Sequence, residues 1–350
     1  MTLQTIADRV GVSRMTVSNA FSKPDQLSVD LRQRILTAAE ELGYAGPDPA
    51  ARALARGATS AVGVLLTDSL REAFTDEVAA MFLGAIADEL APTGLALTLL
   101  SSSERGDVVP ARDVPMDGAL VYSCDTESLA LEWLVRRKLP LVFVDQVPVA
   151  GVPSINIDDR GGARAAAQHL VDLGHRRIGI VTTNREGPEG LVAADTDAPA
   201  NNVCRQRMFG WMDALGPAGI RPTLVQQRGS GEEVGRVGGA LLLDQKDRPT
   251  AILCFSDATA YGVVQVAEER GIAIPSQLSV VGFDDNPLAT RMRPQLTTVR
   301  QDVAAKGRAA AAALAAAIQR TRDGGSPARA RHQVLPTELV VRASTAPPPQ

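Results

Sequence analysis

The sequence is poor in residues that build covalent or metal-stabilised frameworks. It has three cysteines in 350 residues, none in a CxxC pair (Cys124, Cys204 and Cys254). This excludes a disulfide framework and a cysteine-based zinc site, and it predicts isolated buried thiols in a reducing cytosol. We therefore expect no metal and no cofactor. Aromatic residues make up only 3% of the chain, which leaves few rings for stacking on a ligand.

Long apolar runs are also missing. None approaches the roughly 20 residues that cross a bilayer. The N-terminal stretch MTLQTIADRVG carries Asp8 and Arg9 where a secretory signal needs an apolar core. We expect a cytoplasmic protein with no membrane partner.

Catalytic signatures are absent as well, because the chain has no GxSxG, HExxH or GxxxxGK[ST] motif. Gly229, Gly231 and Gly235 precede a predicted helix, but their GxGxxxG spacing differs from that of a dinucleotide loop. Of the histidines, His169 lies on an apolar helix and His175 follows a helix-ending glycine, so structural roles are expected for both. The sequence predicts that the protein is not an enzyme.

The first 45 residues predict three short helices, with Thr2, Ser13 and Ser28 as N-caps and Gly11 as the turn after the first. A helix, a glycine turn and a second capped helix within about 20 residues is the spacing of a helix-turn-helix. The net charge of −4 requires any nucleic-acid contact to come from such a local surface. The side chains that we expect to contact bases or phosphates are Thr2, Ser13, Arg14, Met15, Thr16, Ser18 and Asn19.

From residue 61 onward, strands that are apolar throughout alternate with helical stretches, which predicts parallel sheets covered on both faces. Two such series follow one another, so we expect two doubly wound lobes. Representative apolar runs are AVGVLL, DGALVYS, PLVFVD, RIGIVTT, TAILCFS and LSVVGFDD.

The whole chain resembles the lac repressor family of transcriptional regulators. The motifs that carry the resemblance are TLQTIADRVGVSRMTVSNAF, PDPAARALARG, GARAAAQHLVDLGHRRIGIV, RPTAILCFSDATAYGV, LSVVGFDD, PQLTTVRQD and LPTELVVR. The resemblance implies an α/β fold class: an N-terminal three-helix helix-turn-helix domain plus a hinge helix, then a periplasmic-binding-protein-like domain of two doubly wound parallel-sheet lobes.

The expected domain division follows from these patterns together. It places a DNA-binding domain at 1–46, a hinge segment at 47–60, the N-terminal lobe at 61–156 and 300–330, the C-terminal lobe at 157–299 and 331–343, and a disordered tail at 344–350.

The resemblance gives the hinge segment a role. It implies that a leucine from each subunit wedges into the minor groove, and the motif PAARAL places this residue at Leu54. Ala51 is small enough to allow close approach, and Arg52 can reach phosphates. The alternative is that Leu54 packs on the following lobe. Two features depart from the commonest family pattern: GYAGPDP has one residue more, and Asn19 stands where an arginine is often found.

Ligands of doubly wound lobes bind beyond the C-terminal ends of strands, where Thr67, Asp68, Tyr122 and Asp285 also stand as candidates. By resemblance, Arg207 and Asp284 reach the effector, although Arg207 could instead only pair with a neighbouring carboxylate and Asp285 could be a cap. The insertion at 184–203 could cover the cleft. The full set of expected effector-binding residues is Phe74, Asp145, Arg207, Ser256, Asp284 and Gln301.

The sequence thus predicts a transcriptional regulator, in the first place a repressor, that binds palindromic double-stranded operator DNA as a homodimer. A small-molecule effector (a sugar, nucleoside or purine-like compound) would bind between the lobes and control it. The stretch GSGEEVG after TLVQQR has no stacking ring, which argues against a simple sugar. The alternative hypothesis is a small-molecule sensor whose DNA-binding head has changed role.

Overall fold

The computed structural model describes residues 2–46, 48–66, 70–101, 109–123, 128–183, 188–193, 202–229, 231–325 and 329–350. The chain separates into two compact units, residues 1–60 and residues 61–350. Each unit is described by itself. None of the helices in the described ranges is long and apolar enough to cross a membrane.

The first unit is a group of short helices with hydroxyl caps. The Oγ atoms of Thr2, Ser13 and Ser28 each accept a hydrogen bond from the backbone N–H three residues on, which satisfies a donor that the first turn leaves free. Gly11 ends the first helix with φ at 78°, a conformation that favours glycine. The helices are α1 (Leu3–Val10), α2 (Arg14–Ser22), α3 (Val29–Glu41) and α4 (Pro49–Arg56).

The core of this unit is formed by the apolar faces of α1, α2 and α3. Ile6, Val17 and Ile35 are fully buried, and Phe21 and Leu31 pack against them. α4 contributes no residue to this core among the described side chains. The first three helices therefore form a folded head, and α4 follows as a separate short helix.

In the described part of residues 61–350, two mainly parallel sheets form the two lobes. The first sheet has the order β12-β5-β4-β3-β1-β2, and the second has the order β10-β9-β6-β8-β7, with β7 antiparallel to β8. A short antiparallel pair, β11 and β13, forms a third, two-stranded sheet, which isolated bridges connect to Val281 and Asp284 of the second lobe. The strands are β1 (Ala61–Leu66), β2 (Ala96–Ser101), β3 (Gly118–Tyr122), β4 (Leu141–Val144), β5 (Ser154–Ile157), β6 (Ile178–Thr183), β7 (Gly190–Val192), β8 (Thr223–Gln227), β9 (Ala251–Cys254), β10 (Ser279–Val281), β11 (Thr298–Gln301), β12 (His332–Leu335) and β13 (Thr337–Val340).

Helices cover both faces of each sheet. Successive residues of β1 show the consequence: Val64 belongs to the apolar cluster on one face and Leu65 to the cluster on the other. This is why the strands are apolar throughout rather than alternating. The helices are α5 (Leu70–Thr75), α6 (Glu77–Leu90), α7 (Pro110–Asp113), α8 (Leu129–Arg136), α9 (Asp159–Asp172), α10 (Asn202–Leu215), α11 (Glu232–Leu243), α12 (Asp257–Glu269), α13 (Pro287–Arg291) and α14 (Val303–Arg322).

The chain passes between the lobes three times: after β5, along β11 into α14, and again between β12 and β13. The sequence-based division placed 331–343 in the second lobe, but β12 within that segment pairs in parallel with β5 of the first sheet. The open edge of β5 accepts the strand as the chain leaves α14. Only the following residues return to the second lobe, where Leu339 of β13 and Val299 of β11 join its core.

The C-terminal segment is ordered where it meets the second lobe, contrary to the predicted disordered tail at 344–350. The backbone N–H of Val280 donates to the carbonyl of Ser344 at 2.9 Å, and the Ser344 hydroxyl donates to the Val280 carbonyl at 2.6 Å. Nε2 of the buried His175 lies 2.9 Å from the carbonyl oxygen of Ala346. The reason is that β10 is an edge strand, whose free backbone groups bind this segment.

Candidate functional sites

The first candidate site is the exposed face of α2. Met15 has 69% of its surface exposed, and Arg14 beside it is also exposed, so neither contributes to the core. Nδ2 of Asn19 donates to Oε1 of Gln26 at 3.1 Å. The hydroxyl of Ser13 caps the helix and lies 2.8 Å from that of Thr16, and Ser18 is half-buried. The helix thus begins with a row of polar side chains and one unburied methionine.

The second candidate site is α4. Asp48 caps it by accepting from the N–H of Ala51 at 2.9 Å, and Gly57 ends it with φ at 63°. Leu54 has 86% of its surface exposed, and Arg52 is exposed too. Leu54 therefore presents an apolar side chain that is not part of the core of the first unit.

The third candidate site is a cavity of about 380 Å³ between the two lobes. From the first lobe it is lined by Thr75 and Asp76 and by the start of α6. The side chains of Ser256, Tyr261 and Asp284 line it from the second lobe. These groups lie at the C-terminal ends of strands and the N-terminal ends of helices, where doubly wound lobes hold ligands.

A buried arginine lies in the second lobe near this cavity. The guanidinium of Arg207 donates from Nε to Asp159 Oδ1 at 2.9 Å, from Nη1 to the Phe255 carbonyl at 2.5 Å and from Nη2 to Asp284 Oδ1 at 3.4 Å. Its Cζ lies 3.6 Å from the ring centre of Phe283. Three of its N–H groups are therefore committed to protein acceptors, and the guanidinium is held in a fixed plane.

A second buried cation lies in the first lobe. Nζ of Lys306, on α14, donates to Asp145 Oδ2 at 2.6 Å and to Gln301 Oε1 at 3.0 Å. Because Oε1 of Gln301 faces this ammonium, its Nε2 is turned toward Asp284, where it donates to Oδ1 at 2.7 Å. A continuous line of buried polar groups thus joins the lobes, which we call the interlobe chain: Asp145, Lys306, Gln301, Asp284, Arg207 and Asp159.

The carboxylates of this chain outnumber its cations. Burial raises the pKa of Asp284 to about 7, although Arg207 and Gln301 oppose the rise. Burial also raises the pKa of Asp159 to about 6 against the attraction of Arg207. The pKa of Tyr122 lies well above its ordinary value because it is buried and faces Asp145. Burial is thus the largest cause of each of these three shifts.

Backbone strain coincides with these carboxylates. Asp145 follows β4 with φ at 56°, and Asp284 follows β10 with φ at 116°, both in a region that non-glycine residues rarely adopt. Oδ1 of Asp145 is buried and has no hydrogen-bond partner among the residues that the structure describes. Strained residues persist where surrounding bonds hold them, and they cluster at functional sites.

The predicted effector residues fall into three groups. Ser256 and Asp284 line the cavity, whereas Asp145, Arg207 and Gln301 lie in the interlobe chain and do not line it. Phe74 precedes the lining residue Thr75 and has 69% of its surface exposed.

The remaining strand-end candidates have other surroundings. Asp285 is paired with Arg300 and Arg342 and so has a structural role. Tyr122 packs against Phe82 in the first lobe. Thr67 and Asp68 lie outside the described residues, as does most of the insertion at 184–203.

Sequence reasoning missed Lys306 and Asp159. The signal for Lys306 was the single lysine of the alanine-rich α14, next to Gly307. A β-carbon at Gly307 would lie 2.7 Å from that of Ala85, so α14 and α6 pack too closely there for any side chain. Lys306 is buried on the N-terminal side of this contact and its ammonium reaches Asp145, whereas Arg308 on the C-terminal side is exposed.

Comparisons with known proteins agree with this architecture. Residues 2–46 match the family model described as bacterial regulatory proteins, lacI family, and residues 167–345 match a periplasmic binding protein-like domain. An HTH-type transcriptional regulator of Mycolicibacterium smegmatis is 38% identical, over 99% of this chain and 97% of its own length.

Two solved structures show the same fold over the whole length. A LacI-family transcriptional regulator from Corynebacterium glutamicum matches with a TM-score of 0.71 and 32% identity, over 98% of each chain. The CelR regulator in complex with cellobiose matches with a TM-score of 0.70 and 25% identity, over 98% of this chain and 99% of that one.

Proposed function

The chain belongs to the lacI family of bacterial transcriptional regulators, and on that premise we propose that it is a repressor that binds a palindromic operator as a homodimer and is controlled by an effector in the interlobe cavity. As a helix-turn-helix regulator it binds DNA, and proteins of this family are regulators rather than enzymes. A protein that regulates transcription from bacterial DNA acts in the cytoplasm. We assign residues 1–46 to DNA reading and 47–60 to the hinge.

The observation that carries the proposal is the exposure of Leu54 on a capped helix. An apolar wedge inserted into the minor groove unstacks a base step and kinks the duplex. Such a wedge needs a side chain that is not packed within the protein. Arg14, Met15 and Asn19 would read base edges in the major groove from α2. Thr2, Ser13, Thr16 and Ser18 would contact phosphates, while Ala51 and Arg52 would bring α4 close to the backbone.

Two subunits are required because the proposed mechanism has two short hinge helices, one from each subunit, meeting at one minor groove. A dimer with twofold symmetry reads two half-sites of opposite direction, so its operator is close to palindromic. The homodimer and the symmetric operator are therefore a single proposal.

The effector would bind in the cavity between the lobes. Ser256 and Asp284 would accept or donate hydrogen bonds there, Phe74 would close over the ligand, and Asp145, Arg207 and Gln301 would hold Asp284 in place. A sugar, a nucleoside or a purine-like compound fits this volume. The CelR complex with cellobiose supports a sugar.

The test is fluorescence anisotropy with a labelled palindromic duplex from upstream of the protein's own gene, at fixed salt, against a scrambled duplex of equal length. We expect palindrome binding at least about 10³-fold tighter than binding to the scrambled duplex. One compound in a panel of sugars, nucleosides and purines should change that affinity roughly 5- to 150-fold. Equal binding to both duplexes would favour a sensor whose head has changed role.

A further inference from the structure

The charged groups that line the interlobe cavity are all acidic among the residues that the structure describes. They are Asp76 and Glu77 from the first lobe and Glu232 and Asp284 from the second, and no described lining residue is Lys, Arg or His. The cavity is therefore a region of negative potential, which concentrates cations and depletes anions.

The two buried cations of the interlobe chain, Arg207 and Lys306, cannot offset the excess of acidic groups in the cavity lining. Arg207 is bound to Asp159, Asp284 and a backbone carbonyl, and Lys306 is bound to Asp145 and Gln301. Each is at least 95% buried. A phosphate or carboxylate that recruited either cation would leave a buried carboxylate unpaired, which is strongly unfavourable.

The helix ends at the cavity do not attract anions either. Such ends carry a partial positive charge that binds phosphate in other proteins. Here α6 begins with Asp76 and Glu77, and α11 begins with Glu232. These carboxylates offset the partial positive charge of the two helix ends.

One carboxylate oxygen remains for a ligand. Asp284 is only 6% exposed, and its Oδ1 accepts from Arg207 and Gln301. Its Oδ2 takes no hydrogen bond from the described residues, although Asp284 lines the cavity. A carboxylate oxygen of a lining residue can be matched by a hydroxyl or N–H donor of the ligand.

We propose that the interlobe cavity selects against anions, and that its effector is a neutral or cationic hydrogen-bond donor that binds Oδ2 of Asp284 and carries no phosphate or carboxylate. This inference rests on the proposed effector site, and it narrows the class of effector. Sugar phosphates, nucleotides and organic acids are excluded, whereas free polyols, nucleosides and amines are retained.

The test measures the potential of the cavity without knowledge of the effector. Tyr261→Trp places a reporter in the lining, and Trp133→Phe removes the partly exposed tryptophan, leaving Trp211, which is 1% exposed. Quenching by iodide, neutral acrylamide and caesium is then compared with quenching of free N-acetyltryptophanamide. For each ion we take the quenching constant divided by that of acrylamide. We expect this quotient for iodide to be at least about threefold lower in the reporter than in the free compound, and the quotient for caesium to be higher.

Charge variants identify the cause. In the double variant Glu77→Gln with Glu232→Gln, the ratio of the iodide to the acrylamide quenching constant should rise at least halfway to its value for the free compound. Glu268→Gln, which removes an exposed acid of α12 that does not line the cavity, should leave it unchanged. Leu288→Trp is a second reporter in the lining if Tyr261→Trp fails to fold.

Three outcomes overturn the proposal. One is an iodide ratio equal to that of the free compound in the folded reporter, and another is equal exclusion of iodide and caesium, which indicates shielding without charge. The third is an effector whose phosphate or carboxylate group is required for activity. The DNA-binding assay is independent of these quenching measurements. A failure to bind the palindromic duplex would therefore not contradict the charge selectivity, and a cavity without charge selectivity would not contradict DNA binding.

Discussion

Nζ of Lys306 lies 2.6 Å from Oδ2 of Asp145, 161 residues apart in the chain, and both side chains are at least 95% buried. The pair anchors the first-lobe end of the interlobe chain. Through Gln301 it is linked to Asp284, so a movement of one lobe relative to the other must stretch or exchange hydrogen bonds of charged groups.

We expect Lys306→Met to lower the free energy of unfolding by about 3 to 5 kcal/mol, because Asp145 would remain buried without a partner. The double variant Lys306→Met with Asp145→Asn should recover most of that loss, since no isolated charge is left. Glu132→Gln removes an exposed partner of Arg136 and should cost at most about 0.5 kcal/mol. Urea unfolding measures all three, and equal losses in the single and double variants would contradict the charge argument.

The raised pKa of Asp284 predicts a pH dependence of stability. Its pKa rises from 3.8 to about 7 on folding, so the folded state binds more protons than the unfolded state between these values. Stability from this group is therefore greatest at low pH and is lost as pH rises from about 4 to about 7. The unfolding free energy of the wild type minus that of Asp284→Asn should therefore fall as pH rises through this window. A difference that is independent of pH would refute the assignment.

Deletion of residues 344–350 should destabilise the second lobe by about 3 kcal/mol, because several hydrogen bonds worth about 1 kcal/mol each are lost. These include the bonds between Ser344 and Val280 and the bond from His175 to Ala346. Deletion of residues 347–350 alone is the matched control and should cost much less. Thermal unfolding of both truncated chains checks this, and equal effects would show that the segment 344–346 is not an anchor.

Leu54→Ala should weaken operator binding at least about tenfold, since the lost wedge no longer supports the kinked base step. Val29→Ala is a suitable control, because Val29 is 84% exposed in the same unit and has no proposed contact with DNA. Fluorescence anisotropy measures both variants, and unchanged affinity in Leu54→Ala would remove the wedge from the mechanism.

The structure also changes how the ligand site should be tested. Arg207→Ala would leave Asp159 and Asp284 without their shared cation, and the resulting loss of stability would mask any effect on effector binding. Asp284→Asn keeps the shape of the side chain and the donor from Gln301 can still reach Oδ1. It is therefore the better variant for measuring the effector response.

Local signals in the sequence were sufficient for the DNA-reading head. Ser13 and Ser28 cap the helices that their positions predict, and the fold class was confirmed because apolar strands between helices require covered parallel sheets. The interlobe chain was not accessible in the same way. Its contact between Lys306 and Asp145 depends on the packing of α14, and no local pattern encodes the partner of a lone lysine.

The lobe to which β12 belongs and the order of the C-terminal tail were also predicted wrongly, because both depend on tertiary contacts. β12 was assigned to the wrong lobe because strand composition does not reveal which open edge a strand will join. The tail STAPPPQ has the composition of a disordered end, yet the edge of β10 orders its first residues through backbone bonds, which are independent of side-chain hydrophobicity.

The repeated passage of the chain between the lobes determines how this architecture can be rebuilt. Neither lobe is a contiguous stretch of sequence, so a ligand-binding lobe cannot be moved between relatives as a single cassette. A chimera must exchange the segment from α9 to β10 together with β11 and β13, and it must keep β12 with its own β5. Recombination at one point would produce two half-matched lobes, so new effector specificity is reached more readily by substitution in the lining.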